Sequence, residues 1–94
     1  MPVEDEAFAW DRLREASDKI GPADKLVSYK NSTAGYAIAA VHVVSLREAN
    51  VPYSVRPTGH NKHPFGIFVL PDDLNRAREI LGGAGLGSDI DWAA

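Results

Sequence analysis

The amino-acid sequence predicts one small domain of the α+β class, with an additional helix at its N-terminus. The chain has 94 residues, which is enough for one hydrophobic core and too short for two. Hydrophobic residues make up 45% of it and charged residues 24%, as in an ordinary globular domain. Segments with helical spacing alternate with short runs of strand-forming residues, so both kinds of element are expected to share the core.

The first element is a helix predicted over residues 4–20. Its apolar side chains recur at helical spacing, at Trp10, Leu13 and Ile20, and so form one stripe. Three acids in the first turn suit the positive end of the helix dipole, and a Gly-Pro pair ends the helix. The formal charge of the chain is −3, and this acidic excess belongs entirely to the N-terminal segment.

The remaining elements are a strand, a helix, two strands and a helix. Their predicted bounds are residues 25–30, 34–49, 51–56, 65–70 and 71–81. Capping side chains precede the first of these helices, and Asn50 and Pro52 end it. This β-α-β-β-α order over residues 21–82 predicts a ferredoxin-like sandwich, in which a three-stranded sheet carries helices on one face. Residues 83–94 are rich in glycine and are expected to form a flexible tail, although the apolar side chains of Ile90 and Trp92 leave docking of this tail open.

Composition excludes several classes of protein. The chain has no cysteine, which removes disulfides and thiolate chemistry and suits a reducing compartment. The negative charge argues against general binding to nucleic acid. The acidic start differs from a secretory signal or a transit peptide, and the longest uncharged stretch, residues 31–46, is too short and polar to span a bilayer. We therefore expect a cytoplasmic protein that binds neither nucleic acid nor membranes.

No motif predicts catalysis, a cofactor or a metal. Asp72 and Asp73 have the place of first-turn charges in a helix, and the glycine-rich run after that helix is typical of a cap rather than of a phosphate loop. His60 and His63 have an H-x-x-H spacing but lack a third ligand nearby, which favours two solvated loop histidines over a metal site. His42 is interpreted as a core histidine that donates to a backbone carbonyl.

The loop between the last two predicted strands carries only positive charge. Residues 49–71 contain no acid. The candidate anion-binding residues in this stretch are Arg56, His60, Asn61, Lys62 and His63. Their positive field predicts a site for a phosphate or carboxylate group. In the competing interpretation, Arg56 and Lys62 keep the loop soluble or contact the acidic N-terminal helix.

The helix over residues 34–49 is apolar on nearly all sides. Its first charge is Arg47, although a helix that lies on a sheet needs only one apolar stripe. The outer face therefore needs a cover, which is either the N-terminal helix or a partner subunit. We expect the N-terminal helix to pack there. The interaction surface predicted in this way consists of Trp10, Leu13, Val41 and Val44.

Several short motifs mark the ends of the predicted elements. They are Leu26-Val27-Ser28-Tyr29, Val51-Pro52-Tyr53, Ile67-Phe68-Val69-Leu70-Pro71-Asp72-Asp73 and Ala77-Arg78-Glu79-Ile80-Leu81. With the small-residue-rich helix between them, they resemble a family of prokaryotic domains of unknown function that is described as signal-transducing. The resemblance implies a regulatory or binding module with a sandwich similar to the PII-like and ferredoxin-like folds, and no catalytic residues. The N-terminal helix departs from that family, whose members have fewer residues before the first strand.

Two functions remain open. One is a non-catalytic regulatory or protein-interaction module that acts through a partner or as a homodimer, since the edges of a three-stranded sheet can pair. The alternative is a PII-like small-molecule sensor that binds an anionic metabolite at the loop after the second strand.

Overall fold

The computed structural model describes residues 12–17, 20–82 and 90–92. Its strands are β1 (Asp24–Tyr29), β2 (Tyr53–Pro57), β3 (Phe65–Val69) and β4 (Ile90–Trp92), and its helices are α1 (Thr33–Glu48) and α2 (Leu74–Leu81). A short 3-10 helix, Pro71–Asp73, leads into α2. This is the α+β architecture that the sequence predicts. The elements between residues 21 and 82 begin and end within about two residues of their predicted bounds, which is the usual uncertainty at such ends, except that the last helix, predicted from residue 71, is a 3-10 helix over its first three residues.

Local interactions determine where the helices begin and end. The Ser32 hydroxyl oxygen accepts a hydrogen bond from the backbone N–H of Gly35 at 3.0 Å and so caps α1. Asn50 follows α1 with a φ of +60°, and Gly82 follows α2 with a φ of +93°. Both residues are in the left-handed region that commonly ends a helix.

The four strands form one antiparallel sheet in the order β2-β3-β1-β4. Paired residues of an antiparallel sheet share a face, so Tyr29, Phe65 and Ile90 lie in one row across it. The helices cover this face, since the ring of His42 in α1 contacts that of Tyr29 and the ring of Tyr36 stacks on that of Phe65. The hydrophobic core therefore lies between the sheet and α1 and α2.

Residues 90–92 correct the prediction of a three-stranded sheet followed by a loose tail. Ile90 pairs with Tyr29 and Trp92 pairs with Val27, and the Ile90 side chain is only 4% exposed. Burial of an isoleucine side chain offsets the entropy that the ordering of a short strand costs. The strand β4 thus covers the edge of β1.

The end of the predicted N-terminal helix lies among the described residues, whereas most of it lies outside them. Residues 12–15 are helical, and residues 16 and 17 form a turn and a bend, so the helix ends earlier than predicted. The Ser17 hydroxyl donates to the Arg14 carbonyl at 2.8 Å and competes with the helical hydrogen bonds. The Ala16 carbonyl accepts from the Tyr53 hydroxyl of β2 at 3.1 Å.

The predicted packing of this segment across the outer face of α1 is wrong for the described residues. Val41 and Val44 on that face are 63% and 51% exposed. The segment contacts β2, where the Arg56 guanidinium donates to the carbonyls of Ile20 at 2.7 Å and Gly21 at 3.0 Å, and its Ala16 carbonyl also accepts from the Arg47 guanidinium near the end of α1 at 3.4 Å. Side chains of β2 and the last turn of α1 therefore hold the segment beside the edge strand β2.

Candidate functional site

A cleft of about 520 Å³ opens at one end of the sheet. There β1 leads into α1, and the loop between β2 and β3 begins and ends at the same place, because Phe65 pairs with both Tyr29 and Pro57. The residues that line the cleft are Lys30, Asn31, Asn61, Lys62 and His63. Ligand-binding pockets typically have volumes of about 300–1,000 Å³, so this cleft has room for a small organic ligand.

The loop over residues 58–64 is held by its own hydrogen bonds. The Thr58 backbone N–H donates to the Pro64 carbonyl at 2.9 Å, and the Thr58 hydroxyl donates to the His63 carbonyl at 2.5 Å. The Nδ1 atom of His60 accepts from the backbone N–H groups of Lys62 at 3.1 Å and His63 at 3.3 Å. These bonds fix the backbone that carries three of the lining residues.

An aromatic stack supports the other wall of the cleft. The Tyr36 ring lies 5.0 Å from the Phe65 ring at an interplanar angle of 15°, and the Phe65 ring lies 5.4 Å from the Tyr29 ring. The Tyr36 hydroxyl donates to the Asn31 side-chain oxygen. This contact uses the acceptor atom of Asn31 and leaves its two N–H donors for a ligand.

The charge of the cleft is positive, with no acid among its described lining residues. Within the described part of the chain, neither Lys30 nor Lys62 forms an ion pair. An ammonium group donates hydrogen bonds and accepts none. A cleft rich in donors, with two charges that no acid of the described residues compensates, suits a negatively charged ligand with acceptor oxygens, such as a phosphate or a carboxylate.

Four of the five predicted anion-binding residues belong to this cleft or its loop. Asn61, Lys62 and His63 line it, and His60 holds the loop from within. Arg56 lies elsewhere, because side chains alternate along a strand and the preceding residue, Val55, is buried in the core. Besides its bonds to the N-terminal segment, its Nε atom donates to Ser54 at 3.0 Å. The competing interpretation, in which Arg56 contacts the N-terminal segment, agrees better with these contacts.

Lys30 and Asn31 also line the cleft, although no pattern in the sequence predicts them as binding residues. They directly follow β1, and the antiparallel pairing of β1 with β3 brings the end of β1 next to the start of β3. The strand pairing therefore identifies these two residues, whereas the spacing of charges along the sequence does not.

A second polar cluster lies in the core beside β4. The Tyr29 hydroxyl is 2.7 Å from Nδ1 of His42, and the His42 ring lies 5.7 Å from the Trp92 ring. Burial lowers the pKa of His42 and raises the pKa of Tyr29 well above its ordinary value, so the imidazole is neutral and the phenol keeps its proton. The Tyr29 hydroxyl and Nδ1 of His42 therefore share one hydrogen bond between neutral groups, and the described partner of His42 is this phenol rather than the backbone carbonyl expected from the sequence.

Three of the four residues of the predicted interaction surface lie among the described residues, and these three do not form one surface. Val41 and Val44 are exposed on α1, whereas Leu13 is partly buried against the core. Trp10 lies outside the described residues. What the described structure presents is thus a short apolar patch on α1.

The described residues form neither a metal-binding cluster nor a helix that could span a membrane. Among the described side chains, no group of three or more His, Cys, Asp or Glu is placed to hold a metal ion. The His60 and His63 rings, 5.6 Å apart, form only a pair. In the same residues, the helices are too short or too polar to cross a membrane.

No protein-family model matches the chain, and neither a curated protein nor a solved structure is significantly similar to it. The resemblance of residues 25–81 to a signal-transducing family stays a prediction.

Proposed function

We propose that this chain is a ferredoxin-like binding module that holds a phosphate- or carboxylate-bearing small molecule in the cleft. The observation that carries the proposal is the presence of Lys30 and Lys62 in one cleft whose described lining contains no acid. Two ammonium groups with amide donors beside them attract an anion and satisfy its oxygens. Of the two functions left open by the sequence, this favours the small-molecule sensor.

The order of elements supports the ferredoxin-like part of the proposal. The chain runs β1-α1-β2-β3-α2-β4 with a sheet order of β2-β3-β1-β4, and a split β-α-β arrangement has this succession of elements. Such folds host many unrelated functions, so the argument for an anionic ligand depends on the cleft. In this proposal the module regulates by binding, without catalysis, in the cytoplasm, as the PII-like resemblance implies.

Titration of the whole chain, followed by amide chemical shifts, tests the proposal. Inorganic phosphate, nucleotides and di- and tricarboxylates are added separately, and saturable shifts are expected at residues 30–31 and 58–64. Lys30→Ala or Lys62→Ala should weaken binding about tenfold, since a charge-assisted hydrogen bond contributes about 1.5–3 kcal/mol.

Lys25→Ala is the matched control, because it removes the same charge from the opposite end of β1. It should bind as the unmodified chain does. Equal losses in the Lys25, Lys30 and Lys62 variants, or no shifts at millimolar ligand, contradict the proposal.

The apolar patch on α1 supports a second candidate function, an interaction module. Val41 and Val44 lie one helical turn apart and are both more than half exposed, and such side chains suit a protein partner. The native mass of the chain purified from its own cells is the test. A mass that includes a partner or a second copy, and that reverts to the single chain in the variant Val41→Ser, Val44→Ser, supports this function. The mass of the single chain alone contradicts it.

A further inference from the structure

Two backbone N–H groups of the cleft loop converge on one acceptor atom. The N–H groups of Lys62 and His63 donate to Nδ1 of His60 at 3.1 and 3.3 Å. Successive backbone N–H groups that point to one place form a concavity that binds anions in other proteins. In this loop, an imidazole from the same chain occupies the concavity.

We infer that His60 blocks an amide pair to which an oxygen of the anionic ligand binds, and that protonation of His60 opens this pair. The inference rests on the proposed function and adds its regulation by pH. Lys62 thus contributes both its ammonium group and its backbone N–H, and His63 contributes its backbone N–H.

The position of one proton explains the opening. When Nδ1 accepts hydrogen bonds, the hydrogen of the neutral imidazole is on Nε2. A proton taken up from solvent goes to Nδ1, and the lone pair of this atom then no longer accepts hydrogen bonds from the two N–H groups. The imidazolium ring leaves the amide pair, because two N–H groups and an N–H cation repel one another. An anion oxygen takes its place, so ligand binding and proton uptake favour each other.

The surroundings of His60 favour this exchange. The His63 ring lies 5.6 Å from the His60 ring, Lys62 lies in the same loop, and Lys30, from the connection between β1 and α1, lines the adjoining cleft. Each of them is neutral or positive, so the described cleft offers no carboxylate to an imidazolium. The ligand itself supplies the negative charge.

Closure of the loop does not depend on the His60 side chain. The Thr58 backbone N–H and hydroxyl bind the carbonyls of Pro64 and His63, and the backbone N–H of His60 donates to the Thr58 hydroxyl at 3.1 Å. A substitution at His60 therefore removes the block and leaves the contacts that close the loop.

Sulfate binding to the whole chain, measured by calorimetry at about pH 6 and about pH 8, tests the inference. Sulfate is a suitable probe because it stays a dianion over this range. The unmodified chain should bind it about tenfold more tightly at the lower pH. His60→Ala, whose amide pair is always open, should bind at the higher pH as tightly as the unmodified chain does at the lower pH.

Two further variants separate the block from a simple effect of charge. His60→Asn places an amide oxygen near the position of Nδ1. This oxygen accepts hydrogen bonds but does not titrate, so the variant should bind sulfate weakly at both pH values. His63→Asn removes the neighbouring imidazole, and it should reduce the ratio between the two pH values without abolishing it, because the block by His60 remains. The amide resonance of Lys62 should also shift with pH more strongly in the unmodified chain than in His60→Asn.

Failure of the inference is distinguishable from failure of the proposed function. If sulfate binding depends on Lys62 but His60→Ala binds no more tightly than the unmodified chain at about pH 8, the inference alone is overturned, since His60 then contributes only charge. If no form binds sulfate at either pH, the proposed function fails and the inference fails with it.

Discussion

At the scale of single residues, Gly66 determines how closely the two central strands approach. It pairs with Ser28 of β1, and a Cβ atom at Gly66 would lie 2.4 Å from the carbonyl oxygen of Val27. Pairing is irregular between Lys25 and Val27, as at a β-bulge. The centre of the sheet therefore has no room for a side chain at this position.

Gly66→Ala should destabilise the fold by about 2–3 kcal/mol, because a backbone carbonyl must move to admit the methyl group. Urea unfolding measures the loss. Gly21→Ala is the control, since a Cβ there meets nothing within 4 Å, and it should change stability by less than about 0.5 kcal/mol. Similar losses in both variants would contradict the steric explanation.

The buried His42 makes stability depend on pH. Burial lowers its pKa in the folded state, so the unfolded chain binds a proton more readily than the folded chain does. The contribution of His42 to the free energy of unfolding is complete above the ordinary histidine pKa of about 6.5. This contribution is lost as the pH falls below that value. His42→Gln keeps an acceptor for the Tyr29 hydroxyl and does not titrate.

We expect the unfolding free energy of the unmodified chain to fall more than that of His42→Gln between about pH 7 and about pH 5. Chemical denaturation at several pH values measures the two curves. Parallel curves would show that His42 binds protons equally well in both states, contrary to the argument from burial.

At the scale of elements, the short strand β4 depends on its side chains more than on its length. Three residues supply few backbone hydrogen bonds, whereas Ile90 is buried in the row that contains Tyr29. Ile90→Ala should therefore cost about 2–4 kcal/mol, measured by thermal unfolding. Val44→Ala, an exposed site on α1, should cost less than about 0.5 kcal/mol. A harmless Ile90→Ala would show that β4 contributes little to the core.

The N-terminal segment lies beside the edge strand β2 and is held there by side-chain hydrogen bonds. Removal of residues 1–20 takes away the Ala16 and Ile20 carbonyls, to which Tyr53 and Arg56 donate, and leaves an edge strand without the segment beside it, so that its edge can pair with another copy. We expect the shortened chain to oligomerise, as native mass measurement will show. A monomer with an unchanged melting temperature would refute this.

Tyr53→Phe is the matched control for the deletion. It removes the hydrogen bond to Ala16 and leaves the segment in place, so the chain should stay monomeric and lose about 1 kcal/mol of stability. Oligomers in this variant as well would assign the effect to the lost hydroxyl rather than to the uncovered edge.

At the scale of the whole molecule, local chemistry made most elements predictable from the sequence. The ends of α1 and α2 depend on Ser32, Asn50 and Gly82, each of which acts within a few residues of its own position. The strand β4 is not predictable from local sequence, because its three residues show no periodicity. It is stabilised by β1, which is distant in sequence. The position of the N-terminal segment likewise depends on side chains of β2, remote in sequence.

The residues of the candidate site likewise include some that are predictable from the sequence and some that are not. Asn61, Lys62 and His63 are predictable because they lie together in one stretch without acids. Lys30 reaches the cleft through the pairing of β1 with β3, which spacing alone does not reveal. Arg56 shares the charge pattern of the loop, but its alternation within β2 places it on the other face. Charge patterning predicts the kind of ligand, and topology decides which residues reach it.

The position of the cleft has a consequence for motion within the sheet. Lys30 follows one central strand and Lys62 precedes the other, so a ligand held by both links the end of β1 to the start of β3. Such a link acts as a removable cross-link. It restricts the states in which β1 and β3 separate locally more than it alters the state in which they are paired. Hydrogen exchange of amides in β1 and β3 would then slow at positions that no ligand touches. Occupancy at the rim of the sheet would control how often its centre opens.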